Sequence, residues 1–445
     1  MSKEAQALFT AALGLKAPWE VIEIELDTGS NRIDFQVESK ANRLPCPACG
    51  KENQRIHDRL NRSWRHLDFF QYEAWLHAKV PRVDCDACGK TTQTEVPWAR
   101  PGSGFTLLFE ALTLTLCESM PVAQAGAQLR VQSARLWRCL DHYIGKARDL
   151  ASMAGVTHIG IDETSCKKGH EYITVVHDLA EKRLLFATPG RTNETVAQFK
   201  ADLIAHGGKP EEIKHVCMDM GPAYIKGVTE QLPEAQISFD RFHVIAMAND
   251  ALNDVRRGEM NSNGKEVREQ FGNDKKAVKQ IRWAVLKDPA KWREKQMNVM
   301  YVLQRSRLKT ARAWRLKEAL RDIYRAAAEA NCAEKAQVAL TGWISWAKRS
   351  RLESFKKVAV TLKEKLPAII RGMLDERSNA YVEAMNGMLQ QAKTAARGFR
   401  NIKNFITIAY LRMGKLQHLP KSPFLRASKR RVCVRRYASG SQAPH

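Results

Sequence analysis

Acids at the ends of strands and thiols in matched pairs are the residues of this chain whose types and spacing suit chemistry. Ile159-Gly-Ile-Asp162-Glu-Thr reads as a strand closed by an acid, and Val216-Cys-Met-Asp219-Met-Gly-Pro reads the same way. In a sheet where those strands are neighbours, Asp162 and Asp219 face one another at one edge, and a helix passing in front can add a third acid. Such a trio holds two Mg²⁺ or Mn²⁺ ions about 3.5–4 Å apart, which activate water or a 3′-hydroxyl and stabilise the leaving oxygen of a phosphodiester. Hard cations take oxygen ligands, which is why the acids must be Asp or Glu. Glu163 points to the opposite face of its strand and is the weaker partner. Asp240 closes a later strand and suits equally well the cap of the helix that follows.

A helix able to bring the third acid begins near Glu376-Arg-Ser-Asn379-Ala-Tyr-Val-Glu383-Ala-Met-Asn386-Gly. With Ser378 or Asn379 as N-cap, Glu383 projects from the second turn and Asn386 shares its face at i+3. Lys393, Arg397 and Arg400 downstream suit a phosphate backbone. Taken singly, each acid also reads as an ordinary solvated carboxylate.

The thiols carry a second chemistry. Cys46-Pro-Ala-Cys49-Gly-Lys is answered by Cys85-Asp-Ala-Cys88-Gly-Lys, with 35 residues between the two knuckles. Each pair sets two thiolates on one ion, and the glycine that follows permits the tight backbone. Two matched knuckles complete a four-thiolate structural zinc site, which leaves the metal no open position for catalysis. Arg62, Trp64, Arg65 and His66 fall on the loop between knuckles, where they either meet DNA or form a packed Trp beside solvated charges.

The charge identifies the class of partner. Of 445 residues, 72 are Lys or Arg and 48 are Asp or Glu, a net +24, which favours a polyanion. Between residues 256 and 325 stand 20 basic and 8 acidic residues, so half the excess lies in that stretch. A mean hydropathy of −0.42 and the lack of a long apolar run exclude a spanning helix. The opening residues carry no basic-then-apolar export pattern, and the cysteines do not form a disulfide framework. Together these predict a cytoplasmic, nucleoid-associated protein with no membrane.

The elements that must position these residues follow from periodicity. A short helical stretch and an alternating strand from Trp19 open the chain. Residues 105–148 read as three helices broken at Met120-Pro121 and Val131-Gln-Ser133. The last two have helix-turn-helix proportions, with Gln132, Ser133, Arg135 and Arg138 offered to base edges in the major groove, or else as part of a plain helical connector. Strands follow at Thr157–Asp162, Tyr172–His177 and Arg183–Thr188, joined by Lys-Lys-Gly and Ala-Glu-Lys turns. Then come a helix at Glu194–His206, a strand at Lys214–Met218, a helix near Pro222 and a strand at Gln236–Phe239, an α/β layer pattern. From Asp240 to about Lys415 the chain is nearly all helix-like.

In this order the segments resemble the insertion-sequence transposases of the ISL3 family, over nearly the full length. The resemblance is carried by the four cysteines, the helix-turn-helix, the Gly160-Ile-Asp162-Glu-Thr strand and the Asp219-Met-Gly-Pro-Ala-Tyr turn. Phe239-Asp240-Arg-Phe-His243 and Ser378-Asn379-Ala-x-x-Glu383-Ala-x-Asn386-Gly complete it. It implies an α/β RNase H-like catalytic core with a large helical insertion, plus a small N-terminal zinc ribbon and a helical helix-turn-helix domain. It also implies a DDE set of Asp162, Asp219 and Glu383 serving as catalytic residues and magnesium ligands, with Asp240, His243 and Asn386 accessory. The expected domains are an N-terminal segment (1–40), the ribbon (41–98), the helix-turn-helix (103–150), the core's first part (155–260), the basic insertion (261–370), the Glu helix (371–418) and a basic tail (419–445). The implied function is binding of terminal inverted repeats, strand cleavage and transfer into target DNA. Two ends must meet, which calls for a homodimer or higher oligomer on double-stranded DNA. The alternatives are a DNA-binding regulator that keeps the fold without catalysis, and a nuclease that cuts without joining.

Overall fold

A computed structural model describes residues 2–166 and 171–424; the side chains of residues 376–380, 382 and 383 are outside the described set. The Lys-Lys-Gly turn and most of the basic tail also lie outside it. The chain divides into two compact units, residues 1–143 with 418–445, and residues 144–417.

In the first unit, α1 (Lys3–Ala12) precedes a sheet of six strands among the described residues: β1 (Trp19–Asp27), β2 (Arg32–Ser39), β3 (Arg43–Leu44), β4 (Gln54–Arg65), β5 (Glu73–Asp84) and β6 (Thr91–Gln93), in the order β1-β2-β5-β4-β3 with β6 on β5. Strand β2 shows why it forms: Ile33, Phe35 and Val37 alternate inward, one face apolar and the other half-wet. The core they enter is closed by Trp19 and Trp64, each meeting Trp98 edge-on at 4.9 and 5.5 Å. Trp64 and Arg65 therefore lie on β4 and not on a loop. Arg65 is fully buried, its guanidinium paired with Asp68 and donating to the Ala74 carbonyl. Packing claims both residues, and of that group only Arg62 is openly exposed.

Helices α2 (Leu107–Ser119), α3 (Val122–Leu129) and α4 (Ser133–Asp149) follow, with the two expected breaks. Arg130 caps α3 in the left-handed conformation and pairs with Asp68 and Glu73 at 2.5 and 2.9 Å, which fixes the turn into α4. Buried Glu110 on α2 accepts from Arg100, Ser103 and Tyr143, tying the linker and α4 to α2.

The second unit is built on five described strands: β7 (His158–Ser165), β8 (Tyr172–Asp178), β9 (Arg183–Pro189), β10 (His215–Met218) and β11 (Gln236–Phe239). Their order is β11-β10-β7-β8-β9, with β7, β8 and β9 antiparallel and β10 parallel to both β7 and β11. The Asp178 carboxylate accepts from the amides of Ala180 and Glu181 and so makes the expected turn into β9. Helices α5 (Asn193–Ala205) and α6 (Pro222–Gln231) cross between the parallel strands and bury Val196, Phe199, Leu203, Tyr224 and Val228 against the sheet.

After β11 comes the helical excursion: α7 (Arg241–Ser262), α8 (Gly264–Gln270), α9 (Lys275–Leu286), α10 (Glu294–Arg305), α11 (Lys309–Ala330), α12 (Ala333–Arg349), α13 (Glu353–Glu364) and α14 (Leu366–Leu374). The buried Glu259 carboxylate accepts from the amides of Lys309 and Thr310, an anion at the start of α11 supplied from 50 residues away. Helix α14 returns to the sheet at Gly372, where a Cβ would meet the Phe239 carbonyl at 2.1 Å; only glycine permits that approach. Beside it, Arg371 donates to the Ile237 carbonyl at 2.8 Å and covers part of the open edge of β11. Then α15 (Glu376–Ala395) and α16 (Ile402–Met413) complete the unit. Among the described residues no helix is long and apolar enough to cross a membrane.

Candidate catalytic and zinc sites

Strand β7 runs on to Ser165 because β8 pairs with it that far, so Asp162 sits within the strand and not at its end. Parallel pairing of β10 with β7 sets Met218 opposite Ile161; one step further, Asp219 leaves β10 beside Asp162. The Asp162 side chain accepts from the Glu163 amide at 2.6 Å and from the Asn386 side-chain amide. That second bond brings α15 against β7.

The contact extends down one helix face. Gln390 donates to Thr164 at 2.6 Å, and Lys393 reaches the Ser165 hydroxyl at 2.8 Å and its carbonyl at 3.0 Å. Residues 386, 390 and 393 thus form a polar ladder along the strand that carries Asp162. Gln390 was not anticipated, although its i+4 spacing from Asn386 was a readable signal. Lys393, expected on a phosphate backbone, is instead committed to Ser165. Helix α15 starts at Glu376 after Asp375, so neither Ser378 nor Asn379 is the N-cap, and residue 383 falls in the third turn. The break after α14 leaves a single residue, too short for a cap further on. The Glu383 side chain lies outside the described residues.

The acids repel one another. Burial pushes the Asp162 carboxyl up to about 6; the Glu163 amide, His243 and Asn386 oppose that rise and Asp219 adds to it. Burial also raises Glu163, against the pull of Arg191 and with a further push from Asp219. Asp240 is raised by burial and by Asp219, and held down by the Phe242 amide and His243. Its carboxylate accepts from the Phe242 amide at 3.0 Å, so it does cap α7, and His243 on that helix faces the acids. Among the described residues the buried Asn386 carbonyl oxygen has no partner. Clustered acids that resist ionisation, beside an orphaned oxygen, fit a divalent cation.

The thiols make a different site. Cys46 and Cys85 each accept, through their carbonyls, from the glycine four residues on, at 2.9 and 2.8 Å, and Gly50 and Gly89 have φ of 73° and 66°. The four sulfurs lie within 4.8 Å of one another, with Cys46–Cys88 at 3.8 Å and Cys49–Cys85 at 3.5 Å. Four bonds of about 2.3 Å to one tetrahedral zinc put sulfurs about 3.8 Å apart, so the cage fits. Backbone amides of Cys88 and Ala87 draw the Cys85 thiol down to about 7. Against the pull of the Lys51 amide, the facing sulfurs push Cys49 up to about 11, and Cys88 rises too, so one sulfur ionises ahead of the crowded others.

The helix-turn-helix residues fare unevenly. Gln132 and Arg138 are exposed and Ser133 half-buried at the start of α4. Arg135 is stacked over Phe105 at 4.2 Å and donates to the Gly104 carbonyl, so it braces the helix. Arg397 and Arg400 are exposed beyond α15.

Comparison with known proteins agrees with this geometry. A family model described as a transposase, the DDE domain of the ISL3 family, matches residues 159–409. A zinc-finger of transposases IS204, IS1001, IS1096 and IS1165 matches residues 43–88, and a helix-turn-helix domain of transposase family ISL3 matches residues 94–144. The transposase for insertion sequence element IS1557 of Mycobacterium tuberculosis is 31% identical over 94% of this chain and 97% of its own length. The transposase for insertion sequence element IS1001 of Bordetella parapertussis is 26% identical over 87% and 92%. With its ribbon, its helix-turn-helix and its paired acids in the family's order, the chain belongs to the ISL3 family of transposases.

Proposed function

We propose that this transposase cuts and rejoins DNA at the ends of an insertion sequence, with Asp162, Asp219 and Glu383 holding the catalytic metal in an RNase H-like core. The observation that carries the reading is the juxtaposition of Asp162 and Asp219 by the β7–β10 register, with Asn386 of α15 bonded to Asp162. Glu383 stands one helical turn before Asn386 on that helix. Mg²⁺ or Mn²⁺ bound there supplies an activated water or 3′-hydroxyl and steadies the leaving oxygen. Asn386 orients Asp162, and the Gln390 and Lys393 bonds keep α15 in register with it. His243 lends positive charge to the acids when protonated.

Residues 41–98 and 103–150 serve as ribbon and helix-turn-helix and read the terminal inverted repeats, with Gln132, Ser133 and Arg138 placed for base edges and Arg135 as their brace. Arg397 and Arg400 hold phosphates. The core comprises 155–260 and 371–418 around the insertion 261–370, with 1–40 and 419–445 flanking. Two ends are cut together, so the working form is a dimer or larger on double-stranded DNA in the cytoplasm.

A labelled DNA end from the repeats flanking the gene tests this, with wild type beside Glu383→Gln, each with and without added Mg²⁺. The metal is omitted and not chelated, because a chelator strips zinc as well. Metal-dependent cutting at the repeat boundary, lost in Glu383→Gln, is the expected result. Binding without cutting under every condition would overturn it in favour of a non-catalytic regulator.

A further inference from the structure

The helical excursion holds a cleft that the catalytic reading leaves unused. Helices α7 and α9 enclose about 390 Å³, lined by Arg256 and Met260 from the first and by Val278, Lys279, Arg282 and Trp283 from the second. A small-molecule or nucleotide-sized group fits that volume. Its floor is apolar: Met260 and Val278 are partly buried against the core. Its rim is cationic, and among the described residues no carboxylate stands at ion-pair distance from Arg256, Lys279 or Arg282. Arg256 is steadied by the Asn253 side-chain oxygen at 2.7 Å, and burial together with the Arg282 and Arg257 charges lowers its pKa.

Trp283 is the second observation. It is 58% exposed, a large indole left in water on a helix whose Ile281, Ala284 and Val285 are buried. The Arg282 guanidinium lies over its ring, 5.1 Å from the centroid. Unneutralised cations beside an exposed aromatic face are the two parts of a site for unpaired nucleic acid: the cations follow the backbone and the ring takes a base. A duplex offers its phosphates but keeps its base faces stacked, so it can use only the first part.

We infer that the cleft between α7 and α9 binds one unpaired DNA strand, its phosphates on Arg256, Lys279 and Arg282 and one base stacked on Trp283. The inference rests on the proposed function for its substrate, since a nick at an element end leaves a strand terminus that unpairs far more readily than intact duplex. It adds a subsite outside the acids.

The test measures binding by the full-length protein, with zinc present and no Mg²⁺ or Mn²⁺. The probes are a labelled oligothymidine of about 15 nucleotides and a duplex of about 15 base pairs of unrelated sequence. Trp283→Ala should weaken oligothymidine binding roughly 5- to 100-fold and leave the duplex within about twofold, as expected for one lost stacking contact. Trp283→Phe, which keeps a ring, should stay within about threefold of wild type on both. Lys279→Gln should lower the salt slope on the single strand by about 0.7, one phosphate contact. If Trp283→Ala weakens both probes equally or weakens neither, the assignment is overturned. Cleavage plays no part in this measurement, so its failure and that of the catalytic reading are told apart.

Discussion

The two metal-binding sites of this transposase are built in opposite ways. The four thiols come from matched knuckles within 43 residues of chain, each turn bonded to itself, and their sulfurs already stand at the spacing of a tetrahedron. The proposed acid site draws on two strands and on a helix more than 200 residues beyond Asp162, around a sheet with an apolar core. Zinc in the first site ties together two knuckles that lie outside the Trp19–Trp64–Trp98 core of their sheet. At the second, the core of the sheet does the holding and the crowded acids are a cost, visible in the raised Asp162, Glu163 and Asp240. Under the proposed function one metal belongs to the structure and the other to the reaction.

That contrast can be broken most directly at zinc. Cys85→Ser or a chelator should unfold the N-terminal unit, since structural zinc binding contributes on the order of 10 kcal/mol. The melting transition of residues 144–417 should remain; a ribbon that stays folded without metal would remove the contrast. Asp219→Asn should act conversely, cutting strand cleavage by about a thousandfold or more while the thermal midpoint of its unit holds or rises, because a like charge has gone. An Asp219→Asn protein that still cuts would sink the assignment.

Acid sharpens the comparison further. His177 is wholly buried in β8, neither ring nitrogen has a partner among the described residues, and burial lowers its pKa from 6.5 to about 4. The unfolded chain binds that proton more readily, so stability is full above pH 6.5 and is lost as the pH falls toward 4. The loss is roughly 3 kcal/mol across that window. His66, held at about 4 by burial and Arg65, exerts the same pull on the first unit. Denaturant titrations of His177→Leu at pH 7 and pH 5 should show a shallower acid loss than wild type; an unchanged slope would show that another group governs it. Smallest of all, Gln390→Ala or Lys393→Met should lower the cleavage rate about 10- to 100-fold, as expected for supports behind metal ligands. DNA binding and melting temperature should scarcely move; a loss of DNA affinity by Lys393→Met would return that lysine to the phosphate backbone.

Much of this was legible in the residues. The knuckles declare their chemistry locally, and β11 matches its expected bounds because strong turns flank a short apolar run. That β10 lies beside β7 is a condition of the sequence reading, and the sheet order meets it. What could not be read were tertiary claims on polar side chains. Arg65 looks like a groove-facing arginine until Asp68 and Ala74 are found around it, and Arg135 until Phe105 lies under it. Ser378 and Asn379 have the right chemistry for a cap, yet α14 ends so close to Glu376 that the helix begins before them. In each case a neighbouring segment, near or far in the chain, outranked a sound local preference.

The closeness of Gly372 to Phe239 has a consequence for how such a protein can change. The excursion leaves the sheet just after Phe239 and comes back onto that same residue at Gly372, so 132 residues depart and return through one doorway. A segment whose ends already touch can be shortened, lengthened or exchanged with little disturbance to its host. Beyond the first turn of α7, which carries Asp240 and His243 to the acids, the active centre is thereby insulated from the history of its appendage, and a lineage can alter what it grips without relearning how it cuts.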